Sequence, residues 1–253
     1  MGKVFEYIQQ PLWNSWYISE KIGQGKYSEV YKIYSGDKVS ALKVKPVFAD
    51  KPESLERKLA VAIREAEFMN ILKECPYIVE YQDRTIQKIS DLQYLVMIRT
   101  EILAPLDRIF FSENIIRKIA LDIGKALEYT HSAGIVHCDV KQDNFFVSQD
   151  GKYKLGDFNI SGYSRNKRYP SGTSGYIAPE VYRNSVYDSR SDIYSFGKSL
   201  SSLMNYISPE FSEIISKACA DDVCDRYQTI IEMLTDISAL ERNYYINPED
   251  FFS

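Results

Sequence analysis

Ile135-Val136-His137-Cys138-Asp139-Val140-Lys141-Gln142-Asp143-Asn144, followed by Gly156-Asp157-Phe158-Asn159, is the densest cluster of chemistry-bearing side chains in the chain. Carboxylates, a lysine and an amide stand close together in sequence. A general base, a cationic contact to a phosphate and two Mg²⁺ ligands would call for these residue types, because phosphoryl transfer is mostly positioning and charge neutralisation. A solvated polar loop is the plain alternative. Between the two stretches, residues 145–148 and 153–155 read as a small hairpin joined through Asp150-Gly151, a pair suited to a tight turn with positive φ.

On either side of this hairpin the pattern is helical. Upstream, Ser112 can cap a run that places Ile116, Ile119, Ala120, Ile123 and Leu127 on one face and that Gly134 closes. Downstream, helices are expected over residues 189–203, 211–220 and 227–240. Ahead of Pro105 the periodicity changes. Residues 16–47 alternate and are rich in Tyr, Val and Ile, with breaks at Gly23/Gly25 and Ser35-Gly36-Asp37, which predicts three antiparallel strands. Residues 54–73 carry Leu55, Leu59, Ala62, Ile63, Ala66 and Met69 near the helical period, and Pro76 ends the run. Two further strands, 78–89 and 92–103, meet at Ser90-Asp91. The expected fold is α+β, with five strands and one helix in a first lobe and a larger, mainly helical second lobe.

Two features of the first lobe bear on phosphate binding. Ile22-Gly23-Gln24-Gly25-Lys26-Tyr27-Ser28-Glu29-Val30 sets two glycines between strands, where backbone N–H groups can approach phosphate oxygens closely. Alone, the motif is also what a glycine-containing hairpin looks like. A dinucleotide-binding turn would lead from strand into helix, and no helical pattern follows here, so that fold drops out. Ala41-Leu42-Lys43 then places a lysine on the third strand, where a lone lysine is usually solvated. Glu65 on the following helix changes the reading, because a lysine on the buried side needs a carboxylate to offset its desolvation.

The chain has 253 residues, of which 45% are hydrophobic and 26% charged, as an ordinary packed globule requires. A formal net charge of -4 argues against a general nucleic-acid binder, whose affinity would come from a basic surface. Cys75, Cys138, Cys219 and Cys224 show neither a CxxC pair nor a repeated spacing, so reduced and mostly buried thiols are expected. The first residues lack a basic region followed by an apolar run, and nowhere do about 18 uninterrupted apolar residues occur, which leads to the expectation of a soluble, cytoplasmic protein without a membrane partner.

Taken together these motifs resemble those of the eukaryotic-type protein kinases of the serine/threonine type, in order and in interval. The resemblance covers residues 16–240, with a first lobe over about 16–103 and a second over about 104–240. It leaves 1–15 as an N-terminal extension and 241–253 as a tail. It implies an ATP-dependent enzyme that uses Mg²⁺, or Mn²⁺, to move the γ-phosphate to Ser/Thr hydroxyls of a protein substrate. A regulatory protein is a further partner of the kind it implies, and the oligomeric state is left open. Carried over by position, residues 23–30 resemble the loop over ATP, Lys43 the lysine on the α- and β-phosphates, and Glu65 its helix partner, with Glu67 as a second candidate. Asp139 resembles the catalytic base, Lys141 the contact to the transferred phosphate, and Asn144 with Asp157 the metal ligands. Adenine would lie between Ile22, Val30 and Ala41 on one side and Phe146 on the other, with Glu101 and Leu103 offering backbone hydrogen bonds. Thr100 would be the gatekeeper, or Met97 in another strand register. Residues 172–180 resemble the end of an activation segment, and Lys141 with Thr173 points to Ser/Thr acceptors. Glu180 with Arg226, and Asp192, resemble the family's structural braces.

Four departures qualify the resemblance. Cys138 stands where the arginine before the catalytic aspartate usually does, which removes the cation that would pair with a phosphorylated activation segment. Independence from phosphorylation at Ser161, Ser164, Ser171 or Thr173 is the expectation, and a packed thiol is favoured over a redox sensor. Asn159 replaces the last glycine of Asp-Phe-Gly, and Asn is the non-glycine residue that best tolerates positive φ. Ser28 replaces the third glycine of the loop. Between Leu203 and Phe211 there is little room for a further helix. Two other functions compete: a pseudokinase acting as a nucleotide-binding or scaffolding module, and a small-molecule phosphotransferase on a related fold.

Overall fold

The computed structural model describes residues 4–106, 111–166 and 170–242. Most of the tail lies outside the described residues. The chain divides into two compact units after Ala104.

In the first unit, β1 (Tyr17–Gln24), β2 (Glu29–Ser35), β3 (Lys38–Phe48), α1 (Pro52–Ile71), β4 (Tyr81–Ser90) and β5 (Gln93–Thr100) follow in chain order. The strands form one antiparallel sheet in the order β1-β2-β3-β5-β4. Register decides what each face carries, because a strand's side chains alternate. Lys43 lies opposite Ile98 and Ala41 opposite Thr100, whereas Leu42 lies opposite Arg99 and Val44 opposite Met97. Val47 and Val96 therefore share the face that packs on Ala62 of α1, with Leu55, Leu59 and Ile63 around them.

The opposite face is covered by residues 4–16, of which 4–15 are read from sequence as lying ahead of the domain. Ile8, Leu12 and Trp16 are buried with Tyr31, Ile33, Leu42, Val44, Leu95 and Met97. Leu12 and Trp16 exchange backbone hydrogen bonds of 2.8 Å around a tight turn, with positive φ at Trp13 and Asn14. Gln87 of β4 fastens the segment to the sheet by accepting from the Gln9 N–H (2.9 Å) and donating to the Tyr7 carbonyl (2.6 Å). The Arg99 guanidinium lies 5.0 Å from the Trp13 ring and 4.6 Å from the Trp16 ring, close enough for cation–π attraction.

The second unit opens with α2 (Glu113–Ser132), whose N-cap Ser112 accepts from the Ile115 N–H. Gly134 follows with φ +71, as expected of a glycine closing a helix. A hairpin pairs Phe145–Val147 with Tyr153–Leu155, and Gly151 turns it at φ +76. Four helices follow: α3 (Pro179–Asn184), α4 (Ser189–Ser201), α5 (Pro209–Ala218) and α6 (Ile230–Arg242). Between α4 and α5 there is only a 3-10 turn, Met204–Tyr206. A Cβ on Gly197 would meet Cys219 Sγ at 2.8 Å and Ala218 Cβ at 2.9 Å, so a side chain there would push α4 away from α5.

Candidate active site

The site residues fall in two groups, one in each unit. In the first unit, β1 and β2 carry the glycine loop. Gly23 pairs with Val30 and Gln24 with Glu29, and the Gly25 N–H donates to the Ser28 carbonyl (2.8 Å). Neither Gly23 nor Gly25 has positive φ. A Cβ on Gly25 would come within 2.8 Å of Ser28 Oγ, which rotation of the serine side chain would relieve, the nearest backbone atom being 3.6 Å away. Ile22 is exposed, Val30 half-buried and Ala41 buried.

Lys43 Nζ donates to Glu65 Oε1 at 2.7 Å. Glu65 is 2% exposed, whereas Glu67 is exposed, which settles the choice between the two carboxylates. A second lysine, Lys45, reaches the same group: its Nζ lies 2.6 Å from Glu65 Oε2. Sequence reading missed Lys45, although its separation of two residues from Lys43 puts both on one strand face. Thr100 lies on that face, opposite Ala41. Met97 is buried on the other face with Leu42 and Val44, so the register that would have made it the gatekeeper does not occur. Glu101 donates its N–H to the Glu80 carbonyl (3.2 Å), and with Leu103 it lies in the half-buried segment after β5.

In the second unit, the loop after Ile135–Val136 is clamped from α4. The Asp192 carboxylate, fully buried, accepts from the His137 N–H (2.7 Å) and the Cys138 N–H (2.8 Å), and His131 Nε2 lies 2.9 Å away. Ser199 Oγ donates to the Val140 carbonyl (3.1 Å), and the Gln142 amide donates to the Ser199 carbonyl and to Ser202 Oγ, both at 2.8 Å. Between these holds the chain turns sharply, with Cys138 at φ 71. His137 is fully buried; its Nε2 donates to the Gly156 carbonyl (2.9 Å) and its Nδ1 accepts from the Asp139 N–H (3.3 Å), which fixes the tautomer. One imidazole thus ties the Asp139 loop to the residue before Asp157.

Asp139 Oδ1 accepts from Thr173 Oγ1 (2.8 Å) and from the Thr173 N–H (3.0 Å). Lys141 Nζ donates to the same Thr173 Oγ1 (2.7 Å) and lies 3.3 Å from Asp139 Oδ2. Gly172 permits this approach. Its φ is +130, and a Cβ there would meet the Cys138 carbonyl at 2.8 Å. Asn144 Nδ2 donates to the Asp139 carbonyl (2.7 Å), so the amide oxygen is the atom Asn144 can offer a cation. The Gly156 N–H donates to the Asn144 carbonyl (2.9 Å), which holds Asp157 close by in the chain. Asn144 and Asp157 thus supply hard oxygen donors of the kind Mg²⁺ or Mn²⁺ takes. Among the described residues no cluster of three His, Cys, Asp or Glu forms a metal site elsewhere.

Positive φ falls at Asp157 (φ 61) and not at Asn159. Asn159 lies inside the 3-10 turn Phe158–Ile160. Its tolerance of the left-handed region, invoked from sequence, is therefore not what lets it replace glycine. Phe146 is half-buried in the 145–147 strand of the second unit.

Cys138 is buried with Val136, Ala178, Val181 and Tyr187. An apolar contact thus stands where an arginine would have met a phosphate. Tyr187 OH also accepts from the Ser171 N–H (2.7 Å) and donates to the Ser171 carbonyl. Arg226, fully buried at its side chain, grips both oxygens of Glu180 at 2.9 and 3.1 Å. Ser161 is buried, its Oγ donating to the His137 carbonyl (3.0 Å), so it is no phosphoacceptor in the folded chain.

Residues 16–249 match the family model described as the protein kinase domain. The chain belongs to the protein kinase family. It is 31% identical over 189 residues to the serine/threonine-protein kinase 4 homolog A of Dictyostelium discoideum, covering 71% of this chain and 39% of that protein. It is 29% identical over 190 residues to the CBL-interacting protein kinase 26 of Oryza sativa, covering 71% and 38%. With the MAP kinase kinase MKK1/SSP32 of Saccharomyces cerevisiae it shares 30% over 207 residues, covering 76% and 39%. Of these three relatives, the Dictyostelium protein is the one named as a serine/threonine-protein kinase. The chain spans about two fifths of their length. Among the described residues of the kinase, no helix is long and apolar enough to cross a membrane.

Proposed function

We propose that this kinase transfers the γ-phosphoryl group of ATP to Ser or Thr hydroxyls of protein substrates with the help of Mg²⁺ or Mn²⁺. The observation that carries this reading is the Asp139–Lys141–Thr173 arrangement, a carboxylate and an ammonium converging on one hydroxyl. A substrate hydroxyl in place of that of Thr173 would meet the same two groups: Asp139 to take its proton and Lys141 to neutralise the incoming phosphoryl oxygens. A bound divalent cation supplies charge neutralisation on the β- and γ-phosphates. Asn144 and Asp157 would hold it. In the first unit Lys43 serves the α- and β-phosphates while Glu65 orients it, and Gly23 and Gly25 bring backbone N–H groups to the phosphates. Ile22, Val30 and Ala41 serve adenine from the first unit, with Glu101 and Leu103 offering backbone hydrogen bonds to its edge. Protein substrates are the partners of this reaction, and the cytoplasm, which supplies ATP and keeps the four free thiols reduced, is where we place it.

The test is transfer from γ-labelled ATP to a mixed protein substrate with Mg²⁺, followed by identification of the labelled amino acid. Label on Ser or Thr is expected, and loss of at least about 10²-fold in Asp139→Asn, Lys43→Met and Asp157→Ala. Rates within a few-fold of wild type in these variants, all folded by circular dichroism, would remove the assigned roles. ATP binding without transfer would turn the reading to a scaffolding module.

A further inference from the structure

Glu65 receives two lysines, and the second has no part in the reaction as assigned above. Lys45 Nζ lies 2.6 Å from Glu65 Oε2 and donates to the Ala62 carbonyl at 3.3 Å. Lys43 holds the other oxygen at 2.7 Å. The Lys45 side chain is 5% exposed and that of Glu65 is 2%, against 18% for Lys43. Around them the sheet face and α1 are apolar, with Val47, Val96 and Ala62 buried beside the pair. A lysine so enclosed is fixed in place by its carboxylate, and the carboxylate by it.

The consequence concerns Lys43. With a single lysine, the cation that neutralises buried Glu65 is the same one offered to phosphate, and each displacement of Lys43 toward phosphate uncovers a buried negative charge. With two, the trio carries one net positive charge, and Glu65 stays neutralised wherever Lys43 points. We infer that Lys45 is a positioning residue: it holds Glu65 permanently, so that Lys43 divides its ammonium between Glu65 and the phosphates of ATP without leaving the carboxylate unpaired. The inference rests on the reading of Lys43 as the phosphate lysine.

The experiment measures kcat and the ATP KM for Lys45→Gln, Lys45→Arg and Lys43→Met, with folding checked by circular dichroism. Gln removes the charge of the ion pair with Glu65, so Lys43 becomes the remaining lysine counter-ion of the two and is drawn off the nucleotide. The expected result is an ATP KM raised about tenfold with kcat changed less than threefold, and recovery to within about threefold of wild type in Lys45→Arg. Equal falls in kcat with an unchanged KM, or an unchanged enzyme, would overturn the role of Lys45. If Lys43→Met is also unimpaired, the reading of Lys43 fails instead. A labelling experiment on the wild-type protein avoids any dependence on variant folding. An acyl-phosphate derivative of ATP, which acylates a lysine close to the bound phosphates, should label Lys43 and leave Lys45 unmodified by mass spectrometry. Labelling of Lys45 in preference to Lys43 would make Lys45 the phosphate contact itself and refute the positioning role.

Discussion

Asp192→Asn tests how the loop that carries Asp139 is held. The native carboxylate satisfies two consecutive backbone N–H groups, those of His137 and Cys138, at 2.7 and 2.8 Å, where His137 is 0% and Cys138 4% exposed. Asparagine keeps one acceptor oxygen and turns an NH₂ toward the other N–H. A buried donor left unsatisfied costs about 1–3 kcal/mol. The Cys138 backbone at φ 71 is itself unfavourable by about 1–2 kcal/mol for a residue with a Cβ, and it persists because both neighbouring amides are fixed. Releasing one amide lets that residue relax, and Asp139 is its immediate neighbour. Stability should therefore fall by about 2 kcal/mol, a drop in Tm of about 4–8 °C for a protein of this size. Because misplacement of a catalytic group by about 1 Å can cost about 10²-fold, kcat should fall by about that factor. The ATP KM should stay within about threefold, since Lys43 and the glycine loop belong to the other unit. Differential scanning calorimetry and steady-state kinetics on the same preparation decide the matter. A Tm shift below about 1 °C, or a Tm loss with undiminished kcat, would refute the claim that Asp192 sets the geometry of the loop.

Enzyme shown by mass spectrometry to carry no phosphate on Ser164, Ser171 or Thr173 should already turn over, because Tyr187 and the apolar contact of Cys138 hold the segment; inertness until phosphorylation would sink that account. Cysteine alkylation should begin at Cys224, which is exposed, and spare Cys75 and Cys138, which are buried; burial pushes the Cys219 thiol up to about 11, so iodoacetamide at pH 8 should reach it slowly and faster as pH rises toward that value. Early modification of Cys138 would revive its reading as a redox sensor. Leu12→Ala should cost about 2–5 kcal/mol in urea denaturation, as for any leucine in a closed core; a loss under about 1 kcal/mol would mean that residues 4–16 do not cover the sheet in solution.

Much of the fold was legible because each element carries its own local signal. The periods of two and of 3.6 residues, Ser112 as cap, Gly134 as stop and Asp150-Gly151 as turn all act over a few residues, and the structure places elements close to where they point. The polar site was legible for a related reason: the chemistry demands particular residue types, and they lie close together in the chain. What sequence reading missed depends on pairings between distant segments. Lys45 looks like a solvated strand lysine until the register of β3 against α1 sets it on Glu65. Residues 4–15 have no strong period, and only the apolar back of the sheet, made by alternate residues of β2, β3 and β5, shows what Ile8 and Leu12 are for. Asn159 was misjudged because the three-residue motif does not reveal which member takes the left-handed backbone; the structure gives it to Asp157.

The substitution at Cys138 can be understood on the same terms. An arginine there would bring a buried cation that requires an anion, and the segment that supplied one would be ordered only when phosphorylated. A thiol needs no counter-ion. It packs against Val136, Ala178, Val181 and Tyr187, and the tyrosine turns its hydroxyl to both backbone groups of Ser171. Neutral hydrogen bonds and apolar burial then hold the segment whose Thr173 meets Asp139 and Lys141. Replacing Tyr187 with Phe removes both bonds to Ser171 and leaves the packing intact. If this hydroxyl substitutes for a phosphate-dependent clamp, Tyr187→Phe should lower kcat by tenfold or more while changing Tm by only a few degrees, and hydrogen exchange should quicken at Ser171. An enzyme with normal kcat and faster exchange would show that the segment's order does not limit the reaction.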